Sequence, residues 1–454
     1  MPEVSVVQGA PSNNTAAANH GFALAKALSG RVGLLVLESM TGMLCARVLK
    51  PEGRGELSAM ILWPVFLCQI FTLGIPSATI YTIRRKAENV GATIAGALTL
   101  SSVTGMVATI FGFIVLPFWL KHYSSTVVEH SKWFMVFAPV SMAVMILRGI
   151  LEAYGQFGRS AVSLVMTRML TLCALIGLVS LHSLTSITAA YAYLLTGFPA
   201  LIWMLILVAP KARWSLKPMQ VALRAMLTYG LRSYGIDLCG ALSQYIDQAL
   251  VLGMLSAAQM GTYTVALSLS RILNVIAVAA STVLFPRTVG ASPRNAVLTA
   301  IRTQIAVLAM TSVGATAMMV LGQTALRLLY GGEYANAASQ LRILIIEAVL
   351  SGSLSIMSQP FMALGKPGVV TTLQITGLLT SIPFIIVLAP RFGTEGACVA
   401  LVLSACVRVV LLGVCYAKIL PGVVDWRADV RTEFGNVFRS ARGRVALRFR
   451  PAEA

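Results

Sequence analysis

The sequence predicts an all-α polytopic membrane protein, with twelve transmembrane helices in two six-helix lobes around a central cavity. Two whole-chain properties and one pattern lead there. Of 454 residues, 57% are hydrophobic and only 11% are charged, whereas a soluble domain carries about 25% charged residues. Mean hydropathy is +0.81. The charge is confined to short gaps between long apolar runs, and a run of about 20 apolar residues is what a helix needs to cross a bilayer.

Taken in order, the runs are 25–46, 57–80, 92–119, 133–153, 160–181, 187–209, 229–252, 259–284, 299–322, 341–363, 368–389 and 396–418. Pro64 and Pro76 fall in the second run and are expected to kink it. An even number of spans puts both termini on one side. Loops and tails on that side hold 21 of the 35 Lys and Arg residues, the opposite loops hold eight, and six lie within spans. Lys and Arg accumulate on the cytoplasmic side, so both termini are expected in the cytoplasm of a multi-pass protein of the bacterial inner membrane. This topology also accounts for the net charge of +19. The basic loops lack clustered aromatics and any nucleic-acid module, so nucleic acid is excluded as a partner.

The first 22 residues are polar and small, without the charged and apolar regions of a cleaved signal, and are expected to form a flexible cytoplasmic tail. The longest internal basic loop, "APKARWSLKPMQVALRAMLTYG", follows span six and divides the chain 6+6. The expected organisation is thus an N-lobe over 23–211, a C-lobe over 212–420 and a basic tail over 421–454. Paired six-helix halves are a common transporter plan with a substrate site between them. The halves are weakly alike: "VLKPEGRGELSAM" follows span one and "GMLSAAQMGTYTVALSLS" follows span seven. In the tail, Trp426, Val430, Phe434, Val437, Phe438 and Ala441 recur at helical spacing among arginines. That pattern fits either a helix lying on anionic membrane lipids or a solvated basic segment.

Charge inside the spans carries the functional signal. Arg31, Arg148, Arg168, Arg232, Arg271 and Arg408 lie there with Glu38, Glu152, Asp237, Asp247 and Glu347. A charge at the centre of a lipid-facing helix costs about 2.5–3.5 kcal/mol even on lenient insertion scales. The residues near span ends can snorkel, as Arg148, Glu152, Asp247 and Glu347 are placed to do. Glu38, Arg271 and Arg408 are near span centres and require a water-filled cavity or a fixed ion pair. Six arginines against five acids leave the interior slightly cationic. Arg stays charged and binds diphosphate or carboxylate bidentately, so such a cavity suits a large anionic substrate better than a cationic drug. The four His residues are scattered, no phosphate-binding loop is present, and the seven cysteines show no metal-ligand or disulfide spacing. No enzyme, metal site or cofactor is expected.

Several motifs resemble one family. "LKPEGRGELSAM" after span one is similar to the first outer loop of the polysaccharide and O-antigen flippases, members of the multidrug/oligosaccharidyl-lipid/polysaccharide exporter superfamily. "YIDQALVLGMLSAAQMGTYTVALSLSRILNVIAVAASTVLFP" looks like their seventh-to-eighth span block. "LRLLYGGEYANAASQLRIL" resembles their entry to span ten, and "MALGKPG" and "FGTEGACVA" match the last two hairpins. The resemblance implies a V-shaped, two-lobed bundle with an electropositive cavity that flips a polyprenyl-diphosphate-linked oligosaccharide to the outer leaflet. A polysaccharide polymerase and a chain-length regulator are the implied partners. By position, Asp247 falls on the family's "ID", Arg271 on the basic position of span eight and Arg31 on that of span one. The chain departs from the peptidoglycan-precursor flippases, which typically have fourteen spans, and from drug exporters in its many intramembrane arginines.

The resulting expectations are Arg31, Arg232, Arg271 and Arg408 as substrate-binding residues, and Glu38, Asp237 and Asp247 in coupling or gating. Arg232 and Asp237 are expected to face the seam between lobes, and Asp247 to anchor an outer gate or hairpin. A cation-coupled drug exporter and a non-transporting scaffold of a polysaccharide synthesis complex are the alternatives. The topology is tested by reporter fusions: one after Ala454 should report cytoplasm and one near Ser125 the outside, and a reversed pair would overturn the span assignment.

Overall fold

In a computed structural model, the described residues are 13–85, 90–214, 216–423, 425 and 428–435, with side chains from Gly33 onward except at 216, 217 and 236. These residues are almost wholly helical. The first half contributes α1 (Asn13–Ile70), α2 (Ile75–Arg85), α3 (Val90–Trp119), α4 (Ser125–Phe134), α5 (Ala138–Ala153), α6 (Phe157–Ser180), α7 (Ser186–Leu195) and α8 (Gly197–Val208). The second contributes α9 (Leu216–Met254), α10 (Ala257–Arg271), α11 (Asn274–Thr288), α12 (Pro293–Tyr330), α13 (Ala338–Met357), α14 (Gln359–Ala363) and α15 (Pro367–Ile419).

The breaks have local causes. Lys50 interrupts α1 at φ 60°, ψ 178°. It precedes Pro51, which pushes the preceding residue out of the helical region and then starts the next helical arm. A non-glycine residue held there costs about 1–3 kcal/mol, so its surroundings must hold it. The second kink lies at 71–74 rather than at Pro64. Leu73 and Gly74 adopt positive φ, Pro76 opens α2, and the axis bends by 45°. Gly393, at φ 61°, breaks α15 in the same way. Ser256 and Gln259 form a reciprocal capping box that starts α10.

Among the described residues, seven helical segments are individually long and apolar enough to cross a membrane, and two bent pairs raise the number to nine. The three further segments needed for the expected twelve are the first arm of α1, the charge-bearing α9 and the second arm of α15. Large apolar side chains point outward along these helices, as at Phe118, Val313, Val320 and Val410. In water such a surface would drive aggregation; in a bilayer it is the lipid-facing shell.

Two seams join the halves. At the Lys50 end, α1 and α10 meet backbone to backbone. A Cβ on Gly55 would lie 1.7 Å from the Ala257 carbonyl oxygen, and one on Gly261 would lie 1.8 Å from that of Pro51. The two contacts are reciprocal, each glycine following by four residues the residue its counterpart touches. Lys50 pairs with Glu333 at 3.0 Å, Arg47 donates to the Leu328 carbonyl, and Tyr334 donates to that of Ala46 at 3.3 Å. At the other end α2 meets α9. Gly74 and Gly230 again touch through backbone, Tyr81 stacks on Tyr229 at 4.1 Å, and Tyr234 donates to the Ile70 carbonyl.

Although the expected division assigns α9 to the second lobe, it also runs along α3. Gly96 lies under Met226, and Trp119 Nε1 donates to the Ala249 carbonyl at 2.7 Å, a constant offset of 130 residues in a parallel pair. A continuous apolar core therefore crosses both halves, with Phe134, Tyr263 and Tyr334 among its largest fully buried side chains.

The described part of the tail does not lie free. Residues 428–435 are helical, and Asp429 and Glu433, one turn apart, face Arg294 and Arg302 of α12. Arg294 pairs with Asp429 at 3.0 Å, and Arg302 donates to both carboxylate oxygens of Glu433. Glu433 is buried by this contact, while Val430 and Phe434 stay exposed. The docking thus uses the acids of the tail; Trp426, Val437, Phe438 and Ala441 of its helical pattern fall outside the described residues.

Two outcomes check these contacts. In a chain keeping Cys45 as its sole cysteine, a buried position beside the first seam, Gly261→Val should raise maleimide labelling several-fold because the seam can no longer close; unchanged labelling would refute a tight seam. Glu433→Lys should expose the chain at Arg431 to trypsin, and the added Arg302→Glu should restore protection.

Candidate functional site

Between the two seams lies a cavity of about 370 Å³, walled chiefly by α1 and α10 with contributions from α7, α9 and α12. Three charged side chains line it: Glu38, Arg54 and Arg271. Tyr193, Tyr245 and Tyr330 supply aromatic wall.

Glu38 of α1 pairs with Arg168 of α6 at 2.8 Å, both side chains being half-exposed. The partner thus comes from span five, which no pattern within α1 could reveal. Beyond its place in α1, Arg31 lies outside the residues whose side chains are described.

Arg271 occupies the last turn of α10, just before the bend into α11. Its side chain is 45% exposed and its Nη2 lies 4.0 Å from Asp247 Oδ2. Asp247 is buried two turns from the end of α9. Tyr263, fully buried, donates to Asp247 Oδ2 at 2.9 Å, while Oδ1 has no partner. Asp247 therefore ties α9 to α10 from behind the cavity wall. Arg271 divides its charge between that acid and the open space.

Arg54 falls in the polar gap between the first and second apolar runs. Because only Lys50 leaves helical geometry, the chain re-enters a helix at Pro51, and Arg54 sits one turn into the second arm of α1, on the cavity wall. Cys45, Tyr193, Tyr330 and Tyr334 surround it. Its Nε is buried without a hydrogen-bond partner. The signal available in the sequence was an Arg between two glycines that begin a helix; the hydropathy minimum around it concealed that.

The remaining expected residues are dispersed. Arg408 lies between α13 and α15, folded over Gly377. It reaches Ser351 at 3.5 Å, and Ser351 donates to Glu347, so this cluster is interior to the second half and off the cavity wall. Arg232 is exposed on a groove of α9 shared with Arg224 and Tyr229. Asp237 is half-buried opposite Ser77 of α2, at the Gly74 seam. Among the described residues no ion pair joins Arg148 to Glu152; Glu152 accepts from Ser160 at 2.8 Å. Nor do three His, Cys, Asp or Glu side chains gather among the described residues as a metal site would need.

The arrangement can hold an anion in a largely apolar chamber. Several solved structures share the fold. The structure titled lipid II flippase MurJ, in an inward closed conformation, superposes with TM-score 0.74 at 13% identity, covering 90% of each chain. An inward-facing multidrug resistance MATE transporter of the MOP superfamily gives 0.66 at 17% identity, covering 89% of this chain and 96% of its own. A MOP superfamily transporter from Pyrococcus furiosus, described as having a binding pocket of reverse polarity, gives 0.59 at 16% identity, covering 87% and 94%. At such identities the likeness establishes the fold alone, which in these three proteins serves a flippase and two transporters. No curated protein matches the sequence. The sequence profile of the polysaccharide biosynthesis proteins matches residues 32–291, more than half of the chain, which therefore belongs to that family.

Proposed function

We propose that this protein moves a polyprenyl-diphosphate-linked oligosaccharide, an exopolysaccharide or O-antigen repeat unit, across the bacterial inner membrane by alternating access. The observation that carries the reading is the cavity between α1 and α10, which is lined by Arg54 and Arg271 against the single acid Glu38, itself paired away by Arg168. Fixed guanidinium charge in a low-dielectric chamber selects an anionic head group and disfavours a cationic drug. The two seams supply the gates. The glycine contacts at their centres involve main chain only, and a differential affinity of substrate for one state is what shifts the population.

Within this reading the lobes are 23–211 and 212–420, and both termini are cytoplasmic. Arg271 meets the diphosphate, joined by Arg31 from span one. Arg232, on its exposed groove, suits first contact at the cytoplasmic end. Arg408 acts through the Glu347 cluster of the second lobe. Glu38, Asp237 and Asp247 hold the elements that move: Asp237 at the Gly74 seam, Asp247 between α9 and α10. A polymerase and a chain-length regulator take up the product.

Arg271→Ala should stop surface polysaccharide and leave the lipid-linked unit on the inner leaflet, since a charged hydrogen bond is worth about 1.5–3 kcal/mol. Arg271→Lys should rescue only partly, lacking the bidentate fork. If Arg271 merely neutralises Asp247, Arg271→Ala would lower protein level and adding Asp247→Asn would restore level and export together. Normal export from well-expressed Arg271→Ala would refute substrate binding.

A further inference from the structure

Arg54 poses a physical problem that the reading above does not solve. The cavity-lining Glu38 has Arg168, and Arg271 has Asp247. For Arg54, among the described residues, no carboxylate lies within 4 Å, and its Nε is buried and unpartnered. An uncompensated charge in a protein interior costs several kcal/mol, and a buried unsatisfied donor calls for an explanation such as a missing ligand. Three phenols, Tyr193, Tyr330 and Tyr334, also stand near the guanidinium. Tyr193 and Tyr330 adjoin it and line the same chamber. Their hydroxyls can donate to an anion, and their rings offer flat faces.

Position separates Arg54 from Arg271. Gly55 touches Ala257 at the start of α10, and Arg271 closes that helix. At 1.5 Å per residue this places the two backbone positions about 20 Å apart along the wall, so the two side chains enter the chamber toward opposite ends. We propose that Arg54, with Tyr193 and Tyr330, forms a second anion subsite at the Pro51 end of the cavity, which takes a carboxylate or phosphate borne by the oligosaccharide head while Arg271 holds the lipid diphosphate. The substrate class is then an acidic repeat unit. This rests on the flippase reading and narrows it. The same chemistry could be met by the lipid diphosphate itself, passing from Arg271 to Arg54 on its way out, and the test separates these two sources.

The full-length protein in nanodiscs is titrated with three probes: polyprenyl diphosphate without sugar, a polyprenyl-diphosphate-linked tetrasaccharide containing one uronic acid, and the same lipid with that carboxylate reduced to an alcohol. The wild type should bind the acidic lipid about tenfold or more tighter than the neutral one, the return on one charged contact. Arg54→Gln should erase that difference and leave the sugar-free probe unchanged. A loss confined to the sugar-free probe would support the subsite with the diphosphate as its anion and would remove the acidic sugar. Ser58→Glu guards against misfolding of Arg54→Gln. Ser58 stands one turn from Arg54 on α1 and also lines the cavity, so the new carboxylate should pair with Arg54 and erase the discrimination in an otherwise intact chain. Folded Arg54→Gln and Ser58→Glu proteins that bind all three probes like the wild type would overturn the subsite. A wild type that binds none of the probes would instead overturn the flippase reading.

Discussion

A charge in hydrocarbon must be enclosed by its own protein, and this requirement dictates which helices of the bundle meet. Glu38 holds α6 to α1 through Arg168. Asp247 binds α9 to α10 through Tyr263 and draws Arg271 toward the same point. Glu347, Ser351 and Arg408 join α13 to α15. Apolar contact between helices is worth little in lipid, because lipid tails are as apolar as the side chains they replace. These polar ties, with the close approaches that glycine allows, are therefore what specify the packing. The chamber is where the pairing is left incomplete, and that incompleteness gives it a net charge.

Much of the fold could be read from composition alone. The apolar runs fall on helices, and the short polar gaps fall on their breaks, because both follow from the length of chain a bilayer accepts. Less of the site could be read. Arg271 was legible as a charge far from either end of its run. Asp247, near a span end, was expected to snorkel, but the structure buries it against Tyr263; only its match to the family motif set it apart. Arg54 was not, since a glycine-flanked arginine in a hydropathy minimum looks like a loop until one sees that a single residue, Lys50, makes the whole turn. The partners were equally hidden. The Glu38–Arg168 contact joins residues of different spans, and no periodicity within a span encodes it. The distant position of Arg408 was hidden for the same reason: depth along a helix can be counted, but the direction a side chain takes around it depends on its neighbours.

The seams show how glycine serves close approach here. At both ends main chains meet, as at Gly55 with Ala257 and at Gly74 with Gly230, within an apolar core shared by both halves. At the Lys50 end the exposed Lys50–Glu333 pair adds at most about 1 kcal/mol, while the buried Tyr334 donates to the Ala46 carbonyl. By contrast, α9 is held along α3 by Trp119 and by the Gly96–Met226 contact. A rigid division of the chain at the loop after α8 would have to break that pairing.

The reciprocal contact of Gly55 with Ala257 and of Gly261 with Pro51 also bears on how the chain is made. The first arms to leave the ribosome are those whose mates are encoded some two hundred residues later. At roughly 5–20 residues per second, α1 would wait roughly 10–40 s for α10. Throughout that interval Arg54 and the strained Lys50 junction have no partner from the second half, and the insertion machinery or a neighbouring helix of the first half must shelter them. Biogenesis, and not only transport, therefore constrains what can stand at these few positions.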